Sequence, residues 1–393
     1  MQRLIANLFL LSSLFCYVAP VKIIPTDIQP FYLIFALLYL SYGIPKKVPV
    51  DFLVIAFTVI VSTIVLTVNM FTFDAIRSYI AYIGLLICFL AFFKYFKDYG
   101  VPYKILEYYV YILLGISVLQ KFVNRDFFSF FIVSQRTSEQ RGVTSAFSEP
   151  THYGMICLFL AIILILIDHP LKKRLFIILI VQIIGFAMSS QTMLFLLLWL
   201  IVYLILNKMN LARVAFIAFL GFIGLYSYSF LIVYFNLEDI RFVRIFDIIL
   251  NEGFLILLMV DTSVADRLAH IIYSFKGAFD NFLFPNGFIV WFDYLEEMNS
   301  KYEGILPHAG MSKIMSSLGA ILFELGIFGV PLIMLFYKNI MLLSLRVRKN
   351  PIELMMLFSF IFLTAVQLTL PLYAFLLSYG CWITTKTKFL LKE

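Results

Sequence analysis

The sequence predicts an all-α integral membrane protein, a polytopic bundle of about 12 transmembrane helices with a large external helical module. Three observations carry this. The chain has 393 residues, 63% hydrophobic and 13% charged, with a mean hydropathy of +0.98, whereas soluble domains run near 45–50% apolar and about 25% charged. Apolar runs long enough to cross a bilayer recur along the chain. Lysine and arginine collect in alternate connections. A water-soluble fold of this size has too little interior to hide so much apolar side chain. A soluble enzyme, a secreted disulfide scaffold, a disordered regulator and a nucleic-acid binder are therefore excluded. The isoelectric point near 9.0 does not restore the last, because the basic residues flank apolar spans instead of sharing one face. Cys16, Cys88, Cys157 and Cys381 lie inside apolar runs without metal-ligand spacing, as small packing residues do.

The expected spans are 4–19, 28–44, 52–70, 75–93, 104–123, 153–167, 174–188, 192–206, 213–235, 316–336, 352–370 and 372–386. The first reads as a retained anchor, since Pro20 and Pro25 follow it and no A-x-A-like cleavage site does. With the N-terminus inside, the cytoplasmic segments hold 18 of the 30 lysines and arginines, and the short external connections only Lys22, Arg77 and Lys121. The positive-inside rule then puts both termini in the cytoplasm. Residues 1–393 form one membrane domain with two long external parts, segment 124–152 and module 236–315. Connections of this length are uncommon unless functional.

Segment 124–152 has a Phe-rich stretch suited to the headgroup boundary, then Arg136, Arg141 and Ser148-Glu149-Pro150-Thr151-His152. Proline suits a helix's first turn, and an acid before it faces the positive end of the helix dipole. Glu149 reads either as a cap or as a carboxylate, among cations at the outer mouth of the bundle, able to take a proton from a hydroxyl. Module 236–315 opens with charges and continues with an apolar run, Gly253 to Val260, too short to span. An amphipathic stretch follows, with Val264, Leu268, Ile271, Ile272, Phe275, Phe279 and Phe282 in one stripe. Arg267, His270 and Ser274 stack on the other side. Pro307-His308 precedes the tenth span, where Glu324 stands within an apolar stretch, an expensive place for an ionisable group. External arginines at the bilayer surface suit a diphosphate, which a guanidinium clamps bidentately.

Several runs resemble a known family. Ala146-Phe147-Ser148-Glu149-Pro150-Thr151, then Ser263 to Leu268 with Asn281 to Gly287, then His308 with Gly319 and Glu324-Leu325-Gly326-Ile327-Phe328-Gly329 are similar to the ordered motifs of Wzy-type oligosaccharide repeat-unit polymerases, in the O-antigen polymerase and ligase superfamily. Ala309 stands where the family carries an amide, and Asn286-Gly287-Phe288 lacks its second glycine. The resemblance implies a GT-C-like membrane transferase in a bacterial plasma membrane, acting on the external face without metal or other cofactor. It would invert the anomeric centre while moving a glycan from undecaprenyl diphosphate to a lipid-linked repeat unit. The implied partners are those undecaprenyl-linked oligosaccharides, membrane lipid and a chain-length regulator protein, with no nucleic acid. Carried onto this chain, Arg267 and Arg141 hold the diphosphate with Arg136 in support, and Glu149 or His308 activates the acceptor hydroxyl. His152, His270 and Glu324 support the site. A ligase of the same superfamily and a lipid-linked oligosaccharide flippase are the alternatives. A cavity between module and bundle is expected to hold Arg141, Glu149, Arg267 and His308.

Overall fold

A computed structural model describes residues 1–22, 26–45, 47–68, 72–136, 141–206, 241–302, 310, 312–364 and 366–390. The expected span 213–235 and His308 lie outside them. Helix is the only extended secondary structure among the described residues, apart from a single bridge pair, Val18 to Ile132. The first half holds α1 (Gln2–Leu14), α2 (Phe31–Ser41), α3 (Asp51–Val68), α4 (Phe73–Tyr99), α5 (Tyr103–Phe122), α6 (Pro150–Leu166), α7 (Lys172–Val181) and α8 (Ser190–Leu206). The second holds α9 (Arg241–Asn251), α10 (Phe254–Val260), α11 (Thr262–Asp280), α12 (Val290–Lys301), α13 (Ser317–Leu325), α14 (Val330–Arg346), α15 (Pro351–Leu363) and α16 (Pro371–Leu390). Among the described residues four helical runs are long and apolar enough to cross a membrane: α3, α4, α5 and the run Ser317–Arg346. Shorter apolar helices are α2, α6, α8 and α15.

Helix α6 is apolar around its whole circumference, and nearly every residue of it is buried. A helix with no polar face belongs inside a bundle. Its N-terminus, with Glu149, Thr151 and His152, is therefore carried at the end of the central element. Around it α4 packs along α16, where Phe92 and Phe96 meet the Phe375 ring edge-on at 5.3 and 5.0 Å. Ser378 closes its hydroxyl on the Phe89 carbonyl at 2.8 Å, so no polar group is stranded there.

Three expected spans are corrected. The span 174–188 is α-helical only to Val181 and finishes as a π-helix, Gln182–Ala187, ended by Met188 with φ 45°. The span 316–336 breaks at Gly326, whose φ of 57° stops α13 and starts a short 3-10 turn. Loop 283–287 docks on that break: Asn286 and Gly287 donate backbone N–H to the Phe323 and Glu324 carbonyls at 3.0 and 3.3 Å, and Ile327 donates to Leu283 at 2.7 Å. The span 352–370 ends at Leu363. The Val366 carbonyl beyond it accepts from the Ser317 and Tyr373 hydroxyls, which is how irregular backbone is tolerated inside a membrane bundle.

Helix α11 also buries a different face from its apolar stripe. Ala265, Ala269, His270, Tyr273, Ser274, Gly277 and Ala278 are buried, whereas Phe279 and Phe282 are 63% and 87% exposed. Close approach decides this. A Cβ on Gly319 of α13 would lie 2.1 Å from Ser274 Oγ, so the two helices touch there through small residues, while Phe279 and Phe282 are left facing outward.

Candidate functional site

The N-terminus of α6 is where distant parts of the chain meet. Glu149 is its N-cap residue, yet its side chain makes no cap hydrogen bond. Both carboxylate oxygens turn to arginines: Oε1 is 2.7 Å from Arg136 Nε, and Oε2 is 3.6 Å from Arg267 Nη2. Arg136 is also 2.5 Å from Asp27 Oδ2. Burial works against the Arg136 charge, but Asp27 and Glu149 hold it above its ordinary value. Arg267 reaches from α11 across the bundle, donating to Gln191 Oε1 at 3.0 Å and to Thr151 Oγ1 at 3.5 Å. Gly154 makes this possible. A Cβ there would lie 2.6 Å from Thr192 Oγ1, so α8 begins against α6 with Gln191 beside Thr151.

A hydrogen-bonded chain runs through the same place. Ser148 Oγ donates to Asp27 Oδ2 at 3.0 Å and lies 2.9 Å from His152 Nδ1. Since the carboxylate takes the serine proton, the serine oxygen accepts from Nδ1–H, and the lone pair of the neutral ring falls on Nε2. Tyr17 lies against that ring with centroids 5.5 Å apart. Asp27, Ser148, Thr151 and Gln191 were not singled out from sequence. Asp27 stands in a short connection whose topology is read from its cations alone, and it meets its partner 109 residues on.

Of the other expected site residues, His308 is outside the described residues, and Arg141, His270 and Glu324 lie elsewhere. Arg141 lines a cavity with Lys121 and Arg125, and Arg125 Nη2 donates to its carbonyl at 2.5 Å. His270 is fully buried inside the module, Nε2 standing 3.2 Å from the Gly310 carbonyl and 3.3 Å from Asp266 Oδ1, its ring 5.3 Å from Trp291. Both neighbours are acceptors, so Nε2 carries the proton. Glu324 accepts from Tyr82 at 2.6 Å and lines a smaller cavity of about 80 Å³ with Arg77, Lys313 and Gln367. There burial pushes the Lys313 ammonium down to about 8, against the pull of Glu324. Among the described residues no three His, Cys, Asp or Glu side chains converge as metal ligands.

Asp266 gives a pH prediction. Burial opposes its charge, but hydrogen bonds from His270 and the Gly310 amide (2.7 Å) hold its carboxyl below the ordinary range. A depressed folded value contributes stability above the unfolded one, lost as pH falls through the folded one. Trp291 emission, corrected with a Trp291→Phe protein, is expected to stay flat near neutrality and change below about pH 4. In Asp266→Asn that transition disappears.

No family model, curated protein or solved structure matches the chain.

Proposed function

We propose that the chain is a bacterial plasma-membrane glycosyltransferase of the polysaccharide-polymerase kind, with about 12 spans and cytoplasmic termini. It moves a growing glycan from undecaprenyl diphosphate to a lipid-linked repeat unit on the external face. The observation that carries this reading is the meeting of Arg267, Glu149, Arg136 and the Asp27–Ser148–His152 chain at one helix start. Glycosyl transfer from a diphosphate needs a cation for the leaving group and an acceptor for the hydroxyl proton, close together. Arg136 is held by two carboxylates at 2.5 and 2.7 Å, which suits it to fixing Glu149. Arg267, whose contact to Glu149 is the longer one, suits the diphosphate. With both Glu149 oxygens turned to guanidiniums, His152 Nε2 is the better-placed proton acceptor.

In the step this implies, the acceptor hydroxyl gives its proton to His152 Nε2 as its oxygen attacks the anomeric carbon. The bond from that carbon to the diphosphate breaks, and its electron pair leaves on the diphosphate oxygen beside Arg267. The configuration inverts because attack and departure occur on opposite faces.

The test is the length of surface polysaccharide in a deletion strain complemented with wild type, Glu149→Ala or His152→Gln, with protein levels followed by blot. Wild type is expected to restore a ladder, and each variant to leave single repeat units. Undiminished long chains from both variants overturn the site. Loss of all surface glycan in the deletion strain, single units included, points to the ligase or flippase reading.

A further inference from the structure

Arg136 and Glu149 stand 2.7 Å apart on the irregular stretch between Ile132 and the start of α6. Loops place side chains less precisely than helices do, so a site on a loop needs support from a rigid element. That support comes from Gln120, in the last turn of α5 and 3% exposed. Its Oε1 accepts from the Ser145 amide at 2.6 Å, and its Nε2 donates to the Ser145 carbonyl at 3.0 Å. One side chain thus takes both backbone groups of one residue. The same Nε2 donates to the Phe127 carbonyl at 2.9 Å and to Thr144 Oγ1 at 3.4 Å. Ser145 itself is fully buried with φ 51°, a left-handed conformation uncommon for a residue with a Cβ. Its Oγ is also tied, donating to the Leu113 carbonyl at 2.9 Å. A strained backbone angle persists only where its surroundings over-determine it, and such angles gather at functional sites.

The turn lies three residues before Ser148 and four before Glu149, so it sets the direction in which both leave for α6. The opposing arm is tied to the same amide. Gln135 donates to Thr144 Oγ1 at 2.9 Å, and the Arg136 amide donates to the Ser148 carbonyl at 2.7 Å. Both partners of the Arg136–Glu149 ion pair, and the serine between Asp27 and His152, are thus indexed on one buried side chain. We propose that Gln120 is a positioning residue for the Glu149 site, holding the left-handed turn at Ser145 that aims Ser148 at Asp27 and Glu149 at Arg136. It touches none of the reacting groups and acts through the turn. Its effect on glycan chain length rests on the transferase reading; its effect on the turn does not.

The test compares Gln120→Leu with Gln120→Leu plus Ser145→Gly, in the deletion strain and as full chains in nanodiscs. Gln120→Leu keeps the volume and removes the amide's hydrogen bonds. It is expected to reduce elongation about tenfold and to speed hydrogen exchange several-fold in the peptide ending at Arg136. Adding Ser145→Gly restores no hydrogen bond and removes the one to Leu113, but glycine enters the left-handed region without steric cost. Elongation and slow exchange are expected to recover in part, while the thermal midpoint in detergent falls further. A purely structural role would lower all three together. Wild-type chain length with Gln120→Leu, exchange untouched by it, or elongation that falls further with Ser145→Gly overturns the role. If Gln120→Leu does not accumulate, Gln120→Met fills the space with a flexible chain and carries the same comparison. Exchange needs no polysaccharide synthesis, so a wild type that restores no ladder removes the transferase reading and leaves the exchange result to decide the clamp.

Discussion

Gly142→Ala is expected to cost the protein at least about 3 kcal/mol and much of its folded yield in detergent. A Cβ at that position would lie 2.0 Å from the Ala187 carbonyl oxygen and 2.4 Å from that of Phe186. Both are backbone atoms at the end of the π-helix, so no side chain can turn aside. The strand of chain at 141–143 would have to lift away, losing the Val143 to Phe186 hydrogen bond and the carbonyls that Arg125 holds. Gly115 in α5 is the control, because a Cβ there meets nothing within 4 Å. Its alanine is expected to be neutral or to add roughly 0.5–1 kcal/mol by helix propensity. Size-exclusion profiles after a temperature series compare the two. Equal melting of Gly142→Ala and wild type would show that the segment does not sit against the π-helix.

On the proposed transferase reading, Arg267→Lys is expected to reduce glycan elongation roughly a hundredfold at unchanged protein level, although the charge is kept. The guanidinium uses its two ends separately, Nη1 on Gln191 and Nη2 towards Thr151 and Glu149. An ammonium is a single point and cannot span those partners while presenting a flat edge to a diphosphate. Gln191→Ala acts only through Arg267, so the expected loss is smaller, about tenfold. The measurement is chain length per cell with each variant expressed in the deletion strain. A ladder as long with Arg267→Lys as with wild type would make Arg267 a structural cation. A larger loss from Gln191→Ala than from Arg267→Lys would move the key contact to the amide.

The membrane class was open to sequence reading because its signal is local: runs of apolar residues long enough to cross a bilayer. Glu149 was legible for the same reason, standing beside Pro150 with Arg136 in one segment. Asp27 was not, since nothing near residue 27 announces a partner at 136 or 148. The buried face of α11 was misjudged by periodicity, which weighs side-chain size and misses that Gly319 and Ser274 need backbones in contact. The π-helix had no signature either, because its residues, Gln182 to Ala187, read as an ordinary apolar run.

The Glu149 cluster draws its members from widely separated stretches of chain, and that order matters while the protein is being made. Asp27, Arg136 and Glu149 belong to the first half and pair among themselves at 2.5 and 2.7 Å. Arg267 leaves the ribosome 118 residues after Glu149, on the order of ten seconds later at usual synthesis rates. The two early acids thus share one guanidinium, and the nascent chain crosses that interval with one carboxylate charge still unmatched. The last arginine docks onto a finished seat, so the site is completed only when the second half of the bundle has arrived.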